Sequence, residues 1–191
     1  MEVDHSSKGQ CVVIIGGTGM LRPAVRTLME RGISVVVVAR RPLRGVAPQV
    51  NGGAYIPVEG EWSAPQSLAE AVRDALDDRG ISRSKVCGAI IWVHSPHRQS
   101  VLDELNRVLN PDARVLQLWG SAAQDPREVM DNEDRSGRPW RMRHLFLGYH
   151  RDSGGSRWLT DGEISRATVL AWDSGSEYAS AGQLDPWELR P

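Results

Sequence analysis

The chain has little from which covalent staples could be made. Its 191 residues include two cysteines, Cys11 and Cys87, too few for a disulfide framework or a zinc site. Both flank apolar runs and read as reduced core thiols of a cytoplasmic protein. Lysine is nearly absent: Lys8 and Lys85 stand alone among 23 basic residues, the rest being arginine. A net charge of −1, without a basic or acidic block, gives no electrostatic footprint for nucleic acid or a charged membrane surface. No apolar run approaches the roughly 20 residues of a membrane span. The polar stretch 1–10 matches neither a signal nor a transit sequence and is expected to be flexible. No internal repeat and no metal-ligand spacing is present.

What is present suits one folded unit, since 40% of the residues are hydrophobic and the length allows a single domain with a real core. Apolar runs fall at 12–15, 33–39, 54–58, 86–93, 115–119 and 144–149. They alternate with helical spacings after 21, over 67–78 (Leu68, Val72, Leu76), over 100–109 (Val101, Leu102, Leu105, Leu109) and over 160–172. Thr160 with Glu163 three residues on predicts a capping box at the start of the last helix. The pattern predicts a single α/β domain over 11–172, a doubly wound Rossmann-like parallel sheet of about six strands. Residues 43–51 read as a loop, 124–142 as an irregular polar insertion and 173–191 as a polar tail.

The segment Val12-Val13-Ile14-Ile15-Gly16-Gly17-Thr18-Gly19-Met20-Leu21 carries the most chemistry. A β-branched strand runs into a glycine turn that opens a helix, the context in which such a turn binds a dinucleotide pyrophosphate on free N–H groups. At the end of the second strand an NAD site would carry an acid for the ribose 2′-hydroxyl. Arg40 and Arg41 stand there instead, and a guanidinium fork suits a 2′-phosphate. NADP(H) is therefore expected in preference to NAD(H). In a doubly wound sheet, ligands bind beyond the carboxyl ends of the strands, which adds Glu59–Trp62, His94-Ser95-Pro96, Gly120-Ser121-Ala122 and Tyr149-His150-Arg151 to the rim.

These residues resemble the short-chain dehydrogenase/reductase superfamily over roughly 10–172. GGTGML is similar to its cofactor loop, and Glu61-Trp62 followed by Ser67-Leu68 is similar to its adenine-contacting pair. Gly120-Ser121-Ala122-Ala123 resembles the position of its catalytic serine. The segments WVHSP, GSAAQDP and SRWLTDGEIS are similar to a group of small, atypical members. The resemblance implies cofactor contacts from Gly16, Gly17, Thr18, Gly19, Met20, Leu21, Arg40, Arg41, Glu61, Trp62, His94 and Ser95. Two departures are plain. Arg22 replaces the third glycine of the motif, and the family's tyrosine with a lysine four residues later is missing. Tyr55, Tyr149 and Tyr178 are followed at that distance by Glu59, Ser153 and Gly182.

Three functions remain open at this point. One is an NADP(H)-dependent reductase of a small molecule, using Ser121, Tyr149, His150 or His94 in place of the missing pair. A second is a non-catalytic NADP(H)-binding protein. The third is a non-redox isomerase, dehydratase or cyclase reusing the crevice, with a histidine as acid or base. Tyr149 and His150 alternate along their strand, so at most one of them should face the crevice. A small-molecule partner is expected, nucleic acid and membrane are not, and a homodimer is left open.

Overall fold

The computed structural model describes residues 9–16, 18–42, 46–120, 124–133 and 140–191. Its sheet is built from Cys11–Ile15 (β1), Ser34–Ala39 (β2), Gln49–Val50 (β3), Gly53–Glu59 (β4), Val86–Ile91 (β5), Arg114–Trp119 (β6) and Arg141–Leu147 (β7). A hairpin of Tyr149–Asp152 (β8) and Gly155–Trp158 (β9) stands apart, and Tyr178–Ala181 (β10) returns to the sheet. The order is β10-β7-β6-β5-β1-β2-β4-β3. Every pairing is parallel except β3 with β4.

The central strand shows why this sequence makes a doubly wound fold. All of CVVII is buried, as a strand covered on both faces must be. Cys11, Val13 and Ile15 join one core with Leu68, Val72 and Leu76 of the helix Pro65–Asp77 (α2) and with Val101 and Leu102 of Arg98–Glu104 (α3). Val12 and Ile14 join the other core, with Val25 and Leu28 of Arg22–Glu30 (α1) and Trp172 of Asp161–Asp173 (α5). Strand order reverses beside β1: β2 lies on one side and β5 on the other. That switch point opens a crevice at the carboxyl ends of the strands.

The α/β class and single doubly wound sheet stand as expected, and Thr160 and Glu163 form the capping box at α5. Several boundaries need correction. The sheet has eight strands rather than about six. The loop expected over 43–51 contains β3, which turns into β4 through Asn51 and Gly52, both at positive φ (50° and 92°), an Asn-Gly hairpin turn. The insertion expected over 124–142 holds the helix Pro126–Glu133 (α4) and the start of β7. The helix expected over 100–109 starts earlier, at Arg98, and gives way to a 3-10 turn at Leu105–Arg107.

The expected polar tail contributes an edge strand, with Tyr178 to Ala181 pairing in parallel against His144 to Leu147. Beyond it the chain is sewn to the hairpin. Tyr149 and Gln183 exchange backbone hydrogen bonds of 3.0 and 2.8 Å, and the Gly148 N–H donates to Ala181 at 2.9 Å. A Cβ on Gly148 would meet the Gln183 carbonyl oxygen at 2.1 Å, so only glycine permits this approach.

Candidate functional site

The crevice holds two adjoining chambers. The first, about 850 Å³, is lined by Gly16, Thr18, Gly19 and Met20 of the turn, Arg40 and Arg41 after β2, Glu61 and Trp62 after β4, Trp92 after β5, and Asp161. The second, about 330 Å³, is lined by Met20, Trp92, His94, Gly120, Leu147, Gly148, Trp158, Leu159 and Ile164. Met20 and Trp92 belong to both, so a polar cleft and an apolar one share part of their walls.

The two glycines at the turn have separate reasons to be glycine. Gly16 has φ of 81°, and a Cβ on it would meet the Trp92 carbonyl oxygen at 2.1 Å; protein packing alone demands glycine there. On Gly19 the nearest atom to a Cβ would be Asp161 Oδ2 at 3.9 Å. The space above Gly19 is therefore left open by the protein itself, a cradle on the floor of the polar cleft. Gly17, between them, lies outside the described residues.

The first turn of α1 is not the phosphate seat the motif leads one to expect. Arg22 N–H donates to Gly19 O at 3.2 Å, Pro23 has no N–H, and Ala24 N–H donates to Ser165 Oγ at 3.2 Å. The Ser165 hydroxyl donates in turn to Met20 O at 2.6 Å. An anion in the cleft would have to be held by the face of the turn at Thr18–Met20, not by the helix end. Arg22 is turned away, lining a separate hollow with Val46, Ala47 and Val50. Leu21 is buried in the core and caps α1.

Charge in the polar cleft is polarised. Arg40 and Arg41 are exposed, and among the described residues neither makes an ion pair. Glu61 and Asp161 bring two carboxylates to the same cleft. Asp161 sits in the first turn of α5, where the helix dipole favours an anion. Sequence reasoning missed Asp161, although the capping box that starts α5 placed it one residue past a helix N-cap.

Of the three candidate catalytic residues among the described ones, His94 alone lines the crevice. Its ring lies edge-on to Trp92 with centroids 4.5 Å apart, and 5.9 Å from Trp62. Tyr149 is corrected: it is fully buried, its hydroxyl donates to the Pro186 carbonyl, and its ring packs against Trp187 at 6.1 Å. The register of β8 turns its phenol toward residues 186–187 and away from the crevice. His150 lines neither chamber and faces Asp152 along the hairpin, Nε2 to Oδ2 3.5 Å. Ser121 lies outside the described residues. Ser95, also expected at the cofactor, is exposed in the turn before α3 and lines neither chamber.

Trp158, 39% exposed at the end of β9, forms one rim of the apolar chamber and rests against Trp187 with centroids 6.2 Å apart. Trp187 thus couples Tyr149 to Trp158, so the buried phenol supports the chamber wall. On the same hairpin, Arg157 grips both oxygens of Glu163 at 2.9 Å. That guanidinium and the Thr160 N–H hold the Glu163 carboxyl far below the usual carboxylate range.

No family model and no curated protein matches this sequence. Solved structures do match its shape. A short-chain dehydrogenase/reductase from Serratia marcescens is 14% identical with a TM-score of 0.62, over 94% of this chain and 97% of that one. The fold is that of the short-chain dehydrogenases/reductases. A short-chain dehydrogenase from Oenococcus oeni is 11% identical, with a TM-score of 0.59 over 97% and 99% of the two chains. The MalC reductase/Diels-Alderase of Malbranchea aurantiaca is 14% identical, with a TM-score of 0.63 over 93% and 96%. At these identities the likeness establishes architecture and nothing finer. No helix among the described residues is long and apolar enough to cross a membrane.

Proposed function

We propose that this protein binds NADP(H) across the two chambers and reduces a small molecule held in the apolar one. The observation that carries this reading is the adjacency of two unlike cavities at the switch point. A polar cleft lined by Arg40 and Arg41, neither in an ion pair among the described residues, shares Met20 and Trp92 with an apolar chamber to which the described residues bring one histidine, His94. The residues present fit such a cofactor. Gly19 leaves an open cradle, Thr18 to Met20 face the cleft, and Arg40 and Arg41 stand where a 2′-phosphate would meet a fork of donors. Trp62 and Glu61 would border the adenine.

A bound nicotinamide supplies hydride chemistry. The chain's own part is to hold the phosphates, exclude water from the apolar end and carry a proton at the imidazole of His94. His94 is the only ionisable side chain on that wall among the described residues. A second reading, a binder without turnover, is favoured by one observation: the Tyr149 hydroxyl is committed to Pro186, and no tyrosine in the sequence has a lysine four residues on.

Calorimetric titration with NADPH and NADH tests the reading. NADPH should bind at least tenfold more tightly, since a charged hydrogen bond contributes about 1.5–3 kcal/mol. Arg40→Ala should remove most of that preference. Equal affinities, or no binding of either, would overturn it. Binding with no NADPH oxidation against a carbonyl panel would select the non-catalytic reading.

A further inference from the structure

We propose that the hollow between α1 and the segment leading into β3 binds a medium-chain fatty-acid anion. The hollow, of about 530 Å³, shares no lining residue with either chamber of the crevice. One wall is α1, which brings Arg22, Val25, Arg26, Met29 and Glu30, positions three and four apart that share a helix face. The other is the segment carrying Val46, Ala47 and Val50. Local sequence fastens the two walls at one end. Asn51 Nδ2 donates to Glu30 O at 2.9 Å, and Gly53 passes so close to Met29 that a Cβ would meet its carbonyl oxygen at 2.7 Å. The β3 hairpin is thereby pinned to the last turn of α1, and the hollow runs back along the helix toward Arg22.

Two properties of the lining identify the ligand. Every uncharged side chain in it is apolar: Pro23, Val25 and Met29 face Val46, Ala47 and Val50. The charges, in contrast, are unequal along the helix. Arg26 Nε donates to Glu30 Oε1 at 2.8 Å, one turn on, and offsets that carboxylate. Arg22, one turn the other way, is exposed and makes no ion pair among the described residues. The lining therefore carries one unmatched positive charge, at the end away from Glu30. An anionic head is drawn to Arg22 and repelled by Glu30, which lays an apolar tail along Val25, Met29 and Val50. Residues 22 to 30 span about 12 Å of helix axis, the reach of a chain of about eight carbons. An exposed guanidinium adds little affinity by itself, so the apolar walls supply affinity and Arg22 supplies selectivity. A peptide would bring backbone amides that these apolar side chains cannot pair. The arginine in place of the motif's third glycine thus acquires a use.

Octanoate, octylammonium and 1-octanol share one chain length and differ in charge. Their dissociation constants are measured by calorimetry on the whole chain, below any micelle-forming concentration. Octanoate should bind at least fivefold more tightly than octylammonium and at least threefold more tightly than octanol. Arg22→Ala should bring octanoate down to the octanol affinity while leaving octanol unchanged, and Arg22→Lys should restore most of the preference. Ala47→Glu, which sets a carboxylate on the opposite wall, should reverse the order of octanoate and octylammonium. Trp158→Ala should leave octanoate affinity unchanged. Loss of octanoate binding in Trp158→Ala but not in Arg22→Ala would place the ligand in the crevice and overturn the proposal. Equal affinity for octanoate and octylammonium, or no octanoate binding, would also overturn it. A trivaline peptide with a free carboxylate binding more tightly than octanoate would assign the hollow to a protein tail instead. A dimer in sedimentation that Ala47→Glu splits would assign it to a second copy of the chain.

Discussion

Ser165 of α5 closes the first turn of α1 from across the sheet face: its hydroxyl accepts from Ala24 N–H at 3.2 Å while donating to Met20 O at 2.6 Å. Residues 141 positions apart thus share one hydrogen bond, in a place where a bound phosphate is the usual partner of a helix end. Ser165 and Ala24 are both buried, so water has little access to replace either group.

Ser165→Ala should therefore destabilise the protein by about 1–3 kcal/mol, the cost of leaving a buried donor unpaired. Urea unfolding measures it, with Ser63→Ala on the exposed surface as the comparison. A midpoint unchanged from wild type would show that the Ala24 N–H finds another partner.

The turn glycines should separate stability from binding. Gly16→Ala forces a Cβ into the Trp92 carbonyl at positive φ and should lower Tm by roughly 5 °C or more. Gly19→Val fills an open cradle and should leave Tm nearly unchanged while abolishing NADPH binding. Normal NADPH binding by the valine variant would remove the turn from the site.

Tyr149→Phe should cost stability and leave chemistry alone. Removing the hydroxyl strands the Pro186 carbonyl, worth about 1 kcal/mol and a Tm shift of roughly 2–4 °C at this chain length. A hundredfold fall in turnover with no change in Tm would instead restore the phenol as the proton donor.

Burial pushes the Cys11 thiol up to about 12 from its ordinary 9, with the neighbouring Cys87 adding to the rise. The folded state thus favours the neutral thiol. That contribution to stability is fully present below pH 9 and is lost as pH climbs from 9 toward 12. Cys11 should resist a thiol reagent such as DTNB at pH 8 in the native protein and react on unfolding. Rapid labelling of Cys11 at pH 8 without denaturant would contradict its burial.

The sequence carried the parts of the fold that depend on local pattern. The β-branched run VVII ahead of a glycine turn read as a buried strand, and Thr160-x-x-Glu163 marked the start of α5 to the residue. β10 was hidden because Tyr-Ala-Ser-Ala is four residues long and has no β-branched side chain, and an edge strand is allowed to be that short. Asn51-Gly52 was a readable turn signal, passed over because the strand before it has only two residues. In the site, the glycine turn, Arg40, Arg41, Glu61, Trp62 and His94 were legible from strand ends. Asp161, Ser165 and the Trp158–Trp187 contact were not, because each depends on where α5 and the hairpin dock. Tyr149 was misplaced for the same reason: alternation along a strand fixes two sides but not which of them faces the crevice.

Trp92 donates its backbone N–H to Ile15 O at 2.8 Å, turns its carbonyl toward Gly16 and its indole toward Gly120, and lines both chambers. Whatever shifts that residue reshapes two walls at once. A ligand in the polar cleft and one in the apolar chamber would then be coupled, and coupling is reciprocal: the factor by which the first tightens the second is the factor by which the second tightens the first.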